Sequence, residues 1–273
     1  MCGFFDHLDH SELEGMLRER IDDGAFMGLI RQWLKAGVLE ADGTVIPPDT
    51  GAPQGGIVSP ILANVYRHHV LDTGFEQVVK PHCRGEARLC RYADDGVGAF
   101  RFQDDAERFY RVLPKRLERF GLQVAPEKTR LLRFSRFHPS RKRRCAFLGF
   151  ELFWLNDRQG IARVKRRTAP KTLQAACRRI KDWMREHRHL PGREFLRGLN
   201  QRLRGHYPYF GVHGNSRALH RFFDGAKACI FKWRNRRGGK RRSFTGVEFT
   251  HALKQVALAR PCITEVERRR VFA

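Results

Sequence analysis

The chain has 273 residues, 41% of them hydrophobic and 30% charged, which fits a globular protein of one large domain or two ordinary ones. No window of about 18 residues is apolar and uncharged, and the first residues lack the basic-then-apolar order of a signal peptide, so neither a membrane span nor a secretory leader is predicted. The seven cysteines are scattered singly, without a Cys-x-x-Cys motif. This usage favours a reducing cytoplasm over a disulfide framework or a zinc ribbon.

Charge is distributed unevenly along the chain. Residues 1–130 carry 17 Lys and Arg against 20 Asp and Glu, whereas residues 131–273 carry 36 against 9. Such an asymmetry predicts an electrostatic partner for the second half, and nucleic acid is the favoured class. A membrane surface is the alternative, but Pro and Gly interrupt the basic half and no single long amphipathic helix is evident.

The first elements are two helices. Residues 3–6 have the apolar character of a strand end, and a capping box at residues 11–14 begins a helix with Ser11 as its cap. Apolar residues then recur at helical spacing. A second helix is predicted from Phe26 to Leu34.

A loop rich in Gly, Thr, Pro and Asp spans residues 43–53, and Gln54, Gly55 and Gly56 follow it. Such residues form either an ordinary flexible loop or a backbone that approaches a flat ligand closely, with one amide side chain aimed at it. Ser59 is predicted to cap the next helix, with Pro60 at its first position. The buried face of this helix is predicted to contain Ile61, Leu62, Val65, Tyr66 and His69.

The segment from Arg91 to Gly96 is predicted to form a β-hairpin. Short apolar runs flank its Asp94-Asp95 pair, and Gly96 is expected to adopt the positive φ of a tight turn. Adjacent ionised carboxylates repel each other and are commonly given a cation. A solvated turn or a helix cap is the alternative, and it is the interpretation given to the other two Asp-Asp pairs, at 22–23 and 104–105.

A long helix from Asp104 to Phe120, kinked by Pro114 and ended by Gly121, is predicted next. An alternating run at 130–134, a basic cluster at 141–144 and a strand at 146–150 follow. The pattern up to this point predicts an antiparallel sheet backed by helices.

Beyond about residue 155 strand signals fade, and helices are predicted at 170–188, 193–204, 216–234 and 246–258. Aromatic residues at helical spacing there are assigned to a core rather than to base stacking. A dense basic run is assigned to phosphate contact, with a solvated surface as the alternative. The cations of this run are Arg234, Arg236, Arg237, Lys240, Arg241 and Arg242.

These pieces, in this order, resemble the reverse transcriptase/maturase encoded by bacterial group II introns. The matching segments are Gly3-Phe4-Phe5-Asp6, residues 53–64, Tyr92-Ala93-Asp94-Asp95, Pro126-Glu127-Lys128-Thr129 and Phe147-Leu148-Gly149-Phe150. Residues 199–205, with Tyr209-Phe210 and Asn215-Ser216, are similar to the thumb-like maturase domain. The resemblance implies an α+β fold with a reverse-transcriptase palm at 1–154, an antiparallel sheet backed by helices, and a basic, mainly helical thumb/maturase domain at 155–273.

The resemblance also implies a two-metal Mg²⁺ site in which Asp94 and Asp95 are the catalytic and metal-binding carboxylates. It implies contacts to the incoming nucleotide from Phe5, Gln54, Gly55 and Lys128. A third carboxylate is expected three residues before Gly3, a position ahead of Met1. The sequence therefore predicts an N-terminally truncated palm that lacks the fingers and is catalytically incomplete by itself.

The implied activity is that of an RNA-directed DNA polymerase that also binds intron RNA to assist splicing. Its partners would be intron RNA, an RNA template with a DNA primer, and deoxynucleoside triphosphates. One alternative is a non-catalytic, maturase-like RNA-binding protein, and another is an inactive remnant of a decayed intron.

Overall fold

The computed structural model describes residues 8–35, 38–39, 45–46, 58–137, 143–235, 244–255 and 257–265. The chain divides into two compact units, Met1–Arg133 and Phe134–Ala273. Both combine helices with small antiparallel sheets, as an α+β fold requires. The boundary between palm and helical domain at residues 154 and 155 is a functional division and remains a prediction.

The first unit contains helices and two hairpins. Its helices are α1 (His10–Arg18), α2 (Gly24–Lys35), α3 (Ser59–Arg67) and α4 (Gln103–Arg119). Its strands are β1 (Val38–Leu39), β2 (Val45–Ile46), β3 (Ala87–Tyr92) and β4 (Asp95–Phe100), paired β1 with β2 and β3 with β4. Helix α3 continues through π-helical segments at His68–Thr73 and Phe75–Val79 and a 3-10 turn at Lys80–His82.

The caps of the first two helices differ from the prediction. Asp9 caps α1, because its Oδ1 accepts from the backbone N–H groups of Ser11 at 2.8 Å and Glu12 at 3.1 Å. Asp23 accepts in the same way from two N–H groups in the first turn of α2, so the first Asp-Asp pair caps the start of a helix. The assignment of Ser11 as the cap was wrong, since an aspartate two residues earlier is an equally good cap.

Helix α3 begins one residue earlier than predicted. Ser59 is its first residue, Pro60 the second, and the cap position belongs to the preceding valine, which makes no side-chain cap hydrogen bond. Leu62 and Tyr66 are buried as predicted, whereas Ile61 is exposed. The Tyr66 hydroxyl donates to the Phe120 carbonyl oxygen at 2.9 Å, which ties α3 to the end of α4.

The second unit packs helices with a three-stranded antiparallel sheet. The sheet has the order β5 (Cys145–Phe147), β6 (Phe150–Asn156), β7 (Ala162–Thr168). The helices are α5 (Pro170–Glu186), α6 (Gly192–Phe210), α7 (Ser216–Asn235) and α8 (Gly246–Gln255). These confirm the four predicted helices of the basic half. Among the described residues, no helix is both long and apolar enough to cross a bilayer.

Two strand predictions in this unit were wrong. The segment 146–150 is not one strand but the turn of a hairpin, in which Leu148 and Gly149 both have positive φ values, 48° and 76°. Strand β7 was missed because it is rich in Arg and Lys, which hides the alternation. Its register places Arg167 opposite Glu151, and the two form an ion pair at 2.9 Å.

The core of the second unit contains the aromatic residues that the sequence assigned to it. Trp183, Tyr207 and Phe222 are buried. Tyr209 is half exposed, stacks on Phe150, and donates to the Leu148 carbonyl oxygen at 2.9 Å. The aromatic residues of α6 therefore support both the helical core and the β5–β6 turn.

A segment near the end of the described chain, residues 257–265, is fastened to α6. The Asn200 side chain donates to the Ala257 carbonyl at 2.8 Å and accepts from the Ala259 N–H at 2.7 Å. The Tyr207 hydroxyl donates to the Ala259 carbonyl at 3.0 Å. We call residues 257–265 the strap.

Candidate active site

The predicted hairpin at the Asp-Asp pair is confirmed. Strands β3 and β4 pair in antiparallel register from Ala87 opposite Phe100 to Tyr92 opposite Asp95. The turn therefore consists of Ala93 and Asp94, and Asp95 begins the second strand. Both aspartates are exposed. The hairpin thus presents two neighbouring carboxylates to solvent from a paired, rigid support.

The strained residue of the turn is Ala93, whose φ is 51°. Gly96 was expected to hold the positive φ, but it lies within β4 opposite Arg91 and does not. The turn lies before Asp95 and not after it, so the positive φ falls on a residue with a Cβ. Such a conformation is uncommon for alanine and carries a steric cost.

The two faces of the hairpin have different surroundings. Paired residues point to the same face, so Arg91 lies on the face of Phe100. Phe100 packs against Phe75 and Phe109 with ring centroids 5.9 and 5.3 Å apart, which places helices over this face. The opposite face carries Tyr92 and Asp95, both exposed. Among the described residues, the Asp95 side is therefore the exposed face of the hairpin tip.

A hydrogen-bond network lies behind the turn, on the covered face. Arg91 Nε and Nη2 donate to the two carboxylate oxygens of Asp72 at 2.8 and 2.7 Å. Arg91 Nη1 donates to Asn64 Oδ1 at 2.8 Å and to the Ala93 carbonyl oxygen at 3.1 Å. The guanidinium thus connects the helix that begins at α3 to the turn that carries Asp94.

Charges within this network affect one another. Burial acts to raise the pKa of Asp72, but hydrogen bonds from Arg91 and His68 outweigh burial and keep that pKa below its usual value. Burial lowers the pKa of Arg67, and the negative charge of Asp94 opposes that effect. Asp94 is therefore within electrostatic reach of a buried guanidinium on α3.

The donor chemistry of the tip is suited to a hard divalent cation, which prefers carboxylate oxygens. Asp94 and Asp95 supply such oxygens on neighbouring residues. Across the ranges that the structure describes, no three acidic, His or Cys side chains gather closely enough to hold a metal. The described residues thus fit part of a divalent-metal site and would need a further carboxylate to complete it.

The remaining predicted nucleotide contacts are only partly described. Phe5, Gln54 and Gly55 lie outside the described residues. Lys128 lies in an exposed turn, where its backbone N–H donates to the Ala125 carbonyl at 3.1 Å. Its assigned contact with the nucleotide remains a prediction.

The basic run is also mostly beyond the described ranges. Arg236, Arg237, Lys240, Arg241 and Arg242 lie outside them. Arg234 is part of helix α7, but its side chain is not among those described. The assignment of this run to phosphate contact remains a prediction.

The Asp104-Asp105 pair differs from its predicted role as a solvated cap. Helix α4 begins at Gln103, and both aspartates lie in its first turn. Asp105 is buried and accepts from the Arg84 backbone N–H at 3.0 Å. A buried carboxylate that anchors a loop was taken for a surface cap because sequence alone does not report burial.

Sequence reasoning missed Asn64, Asp72 and Arg91. One signal could have indicated them. Arg91 lies two and four residues after Leu89 and Ala87, so the three share one face of the strand, and Ala87 is buried. A cation on the covered face of a strand requires a buried polar partner. Such a position predicts an acidic side chain on the packed helix, which Asp72 provides.

The β3–β4 hairpin lies within the part of the chain that matches a known protein family. The family model described as "Reverse transcriptase (RNA-dependent DNA polymerase)" matches residues 1–152. A stretch of 68 residues is 44% identical to group II intron-encoded protein LtrA of Lactococcus lactis subsp. cremoris, covering 25% of this chain and 11% of that protein. A stretch of 62 residues is 40% identical to the putative COX1/OXI3 intron 2 protein of Saccharomyces cerevisiae, covering 23% of this chain and 7% of that protein.

A longer stretch of 122 residues is 28% identical to Protein YkfC of Escherichia coli K12, covering 36% of this chain and 32% of that protein. The matched stretches thus span a third or less of the length of these curated relatives.

Proposed function

Because the chain belongs to the reverse transcriptase (RNA-dependent DNA polymerase) family, we propose that it acts as the polymerase of a group II intron and binds intron RNA to assist splicing. The observation that carries the proposal is the pair Asp94 and Asp95, exposed at the tip of the β3–β4 hairpin within the matched region. The names of two relatives, a group II intron-encoded protein and a putative intron 2 protein, support the intron context.

The reaction is nucleotidyl transfer. The 3′-oxygen of the primer forms a bond to the α-phosphorus of a deoxynucleoside triphosphate and loses its proton, while the bond to the β-phosphate oxygen breaks and pyrophosphate leaves. Bound Mg²⁺ would supply charge stabilisation to the attacking and leaving oxygens. Asp94 and Asp95 would hold that Mg²⁺. A third carboxylate, which the resemblance places before Gly3, would complete the set.

Other residues would position the nucleotide. Phe5 would lie beneath its sugar and reject a 2′-hydroxyl by steric clash. Gln54 and Gly55 would contact it through a side-chain amide and a closely approaching backbone. Lys128, exposed in its turn, would steady the pyrophosphate side as a mobile point charge.

The basic half supports a second candidate, a maturase-like RNA-binding protein without polymerase activity. The observation in its favour is the excess of 36 Lys and Arg over 9 Asp and Glu in residues 131–273. A-form RNA hides its major groove, so such a surface would read phosphates, 2′-hydroxyls and shape more than sequence.

Primer extension on an RNA template tests the two candidates. The assay would use the 273-residue chain and the same chain extended upstream by a palm segment that places an Asp three residues before Gly3. We expect extension from the longer protein, and Asp94→Ala to lower its rate by about a thousandfold, as loss of about 4 kcal/mol of charge stabilisation predicts. Asp22→Ala, at another exposed Asp-Asp pair, is the matched control and should have no effect.

Filter binding of structured RNA by the same variants separates the candidates. Polymerase activity that depends on Asp94, with unchanged RNA binding, supports the polymerase. RNA binding without Asp94-dependent extension in the longer protein would favour the maturase-like alternative. If Asp94→Ala lost RNA binding as much as it lost primer extension, the hairpin would be a structural element. Its assignment to catalysis and metal binding would then be wrong.

A further inference from the structure

The Arg91 side chain is enclosed beneath the turn that carries Asp94, with 8% of it exposed. Four of the five N–H donors of its guanidinium are bonded, two to Asp72 and one each to Asn64 and the Ala93 carbonyl. We propose that Arg91, oriented by Asp72 and Asn64, is a positioning residue that fixes the Ala93–Asp94 peptide and so aims the Asp94 carboxylate. The inference rests on the proposed polymerase function, which gives that carboxylate its role.

The planarity of the peptide bond explains how a contact to Ala93 controls Asp94. The Ala93 carbonyl and the Asp94 N–H belong to one rigid plane, so an anchor on the oxygen also fixes the Asp94 nitrogen. Ala93, with φ at 51°, adopts a conformation that persists only when its surroundings hold it. The hydrogen bond from Arg91 Nη1 supplies such a restraint, at the carbonyl next to the carboxylate-bearing residue.

The shape of the helix behind the hairpin allows Asn64 and Asp72 to contact the Arg91 guanidinium together. Between Asn64 and Asp72 a regular α-helix would leave side chains about 80° apart around its axis and about 12 Å apart along it. From His68 to Thr73, however, the backbone is π-helical, and its turns contain more residues. The π-helical segment brings Asp72 round toward the face of Asn64, where both contact Arg91.

A purely structural role for Arg91 is the competing explanation. The Asp72 ion pair by itself would pin β3 to the helix, and the bonds to Asn64 and Ala93 would then be incidental. Lysine at position 91 retains a cation for Asp72 but lacks the planar fork that can meet a carboxylate and two further acceptors together. Arg91→Lys therefore distinguishes a residue that only holds β3 against the helix from one that also positions Asp94.

The matched control is Arg88→Lys. Arg88 lies on the same strand but is exposed on the opposite face, where it pairs with Glu86 at 2.6 Å. A second test variant, Asn64→Leu, removes one partner of Arg91 and leaves the half-buried ion pair with Asp72 complete. It keeps the proposal testable if Arg91→Lys is poorly folded.

Three measurements on the full chain distinguish the explanations. Nitrogen-15 relaxation gives the order parameters of the Asp94 and Asp95 amides, with Gly98 in β4 as an internal reference. Urea unfolding gives global stability. Primer extension by the upstream-extended protein carrying the same substitutions gives kcat and the KM for the deoxynucleoside triphosphate.

We expect the order parameters of Asp94 and Asp95 in Arg91→Lys to fall from about 0.85 to below about 0.6, with Gly98 unchanged. In the upstream-extended protein, kcat should fall roughly a hundredfold at nearly constant KM, because a misplaced catalytic group loses rate more than binding. Asn64→Leu should show the same changes to a smaller degree, and Arg88→Lys none.

Unchanged order parameters in both test variants would overturn the proposal. So would loosening of Gly98 to the same extent, with a lower unfolding midpoint, since that pattern is the signature of pinning alone. If the upstream-extended protein extends no primer while the local loosening at Asp94 is observed, the proposed polymerase function fails and the positioning role stands.

Discussion

Asn215 binds Thr168 through both atoms of its side-chain amide. Its Oδ1 accepts from the Thr168 backbone N–H at 2.8 Å, and its Nδ2 donates to the Thr168 hydroxyl at 2.8 Å and to the Phe210 carbonyl at 2.8 Å. Asn215 and Thr168 are 1% and 4% exposed. One buried amide therefore joins the end of β7, the end of α6 and the start of α7.

We expect Asn215→Ala to lower the free energy of unfolding by about 3 kcal/mol, because it leaves the buried Thr168 N–H without its acceptor and removes the donor to the Thr168 hydroxyl and the Phe210 carbonyl. That is a large part of the 5–15 kcal/mol typical of folded domains. Urea unfolding measures it. Asn156→Ala, at an exposed asparagine at the end of β6, is the control and should change stability by less than about 0.5 kcal/mol. Equal effects of the two substitutions would contradict this account.

Asn200→Ala is expected to release the strap locally. The substitution removes the bonds to Ala257 and Ala259, whereas the Tyr207 hydroxyl still reaches Ala259. Hydrogen exchange at the Ala259 amide should accelerate by about tenfold or more, the equivalent of about 1.4 kcal/mol for one hydrogen bond. Gln201→Ala, at the exposed neighbouring position, should leave that rate unchanged. Slow exchange in Asn200→Ala would show that other contacts hold the strap.

Both asparagines belong to the segments that resemble the maturase domain, but the resemblance did not indicate what they do. Residue-type patterns do not reveal that an amide bonds two distant backbone segments. The helices of the basic half were predicted well because their apolar spacing is regular. Strand β7 was missed because its Arg167 has its cross-strand partner in Glu151, and such pairing is invisible before the register is known.

The candidate site was predicted to a similar degree. The hairpin and its carboxylates followed from local sequence, since flanking apolar runs and an Asp-Asp-Gly turn signal are short-range features. The positive φ was assigned to Gly96 and lies at Ala93, because turn position depends on strand register. The Arg91 network requires a helix distant in sequence, and no local pattern specified it.

His206 is expected to make the protein less stable in mild acid. Its imidazole stacks on Phe210 and Phe222, with ring centroids 4.5 and 3.8 Å away. Burial, assisted by the charge of Arg179, lowers the pKa of His206 from 6.5 to about 4. The unfolded chain therefore takes up a proton first as the pH falls, so stability declines between pH 6.5 and about 4 and this contribution is constant below that range.

Unfolding in urea at a series of pH values measures this slope. His206→Gln should remove it, whatever its effect on stability at neutral pH. His220→Gln changes an exposed histidine of α7 and should preserve the slope. A wild-type slope that survives in His206→Gln would assign the acid sensitivity to other groups.

The positive charge of residues 131–273 predicts a steep salt dependence of RNA binding. Each phosphate neutralised releases condensed counterions, so the logarithm of the binding constant should fall with the logarithm of salt concentration by about 0.7–0.9 per contact. This expectation does not depend on polymerase activity and applies to both candidate functions.

Replacing Arg236, Arg237, Arg241 and Arg242 together by glutamine should flatten that slope by about three units if each side chain meets a phosphate. Folding should be nearly unaffected if these side chains are solvated, since exposed charges contribute little to stability. The matched control neutralises four exposed cations of the first unit, Arg20, Arg101, Arg111 and Lys115. A potassium titration of RNA binding, with wild type beside both quadruple variants, compares the slopes directly. If the control flattens the slope as much as the test variant does, RNA contacts the whole chain through its net charge. If the test variant leaves the slope unchanged, RNA binds elsewhere and the basic run is a solvated surface.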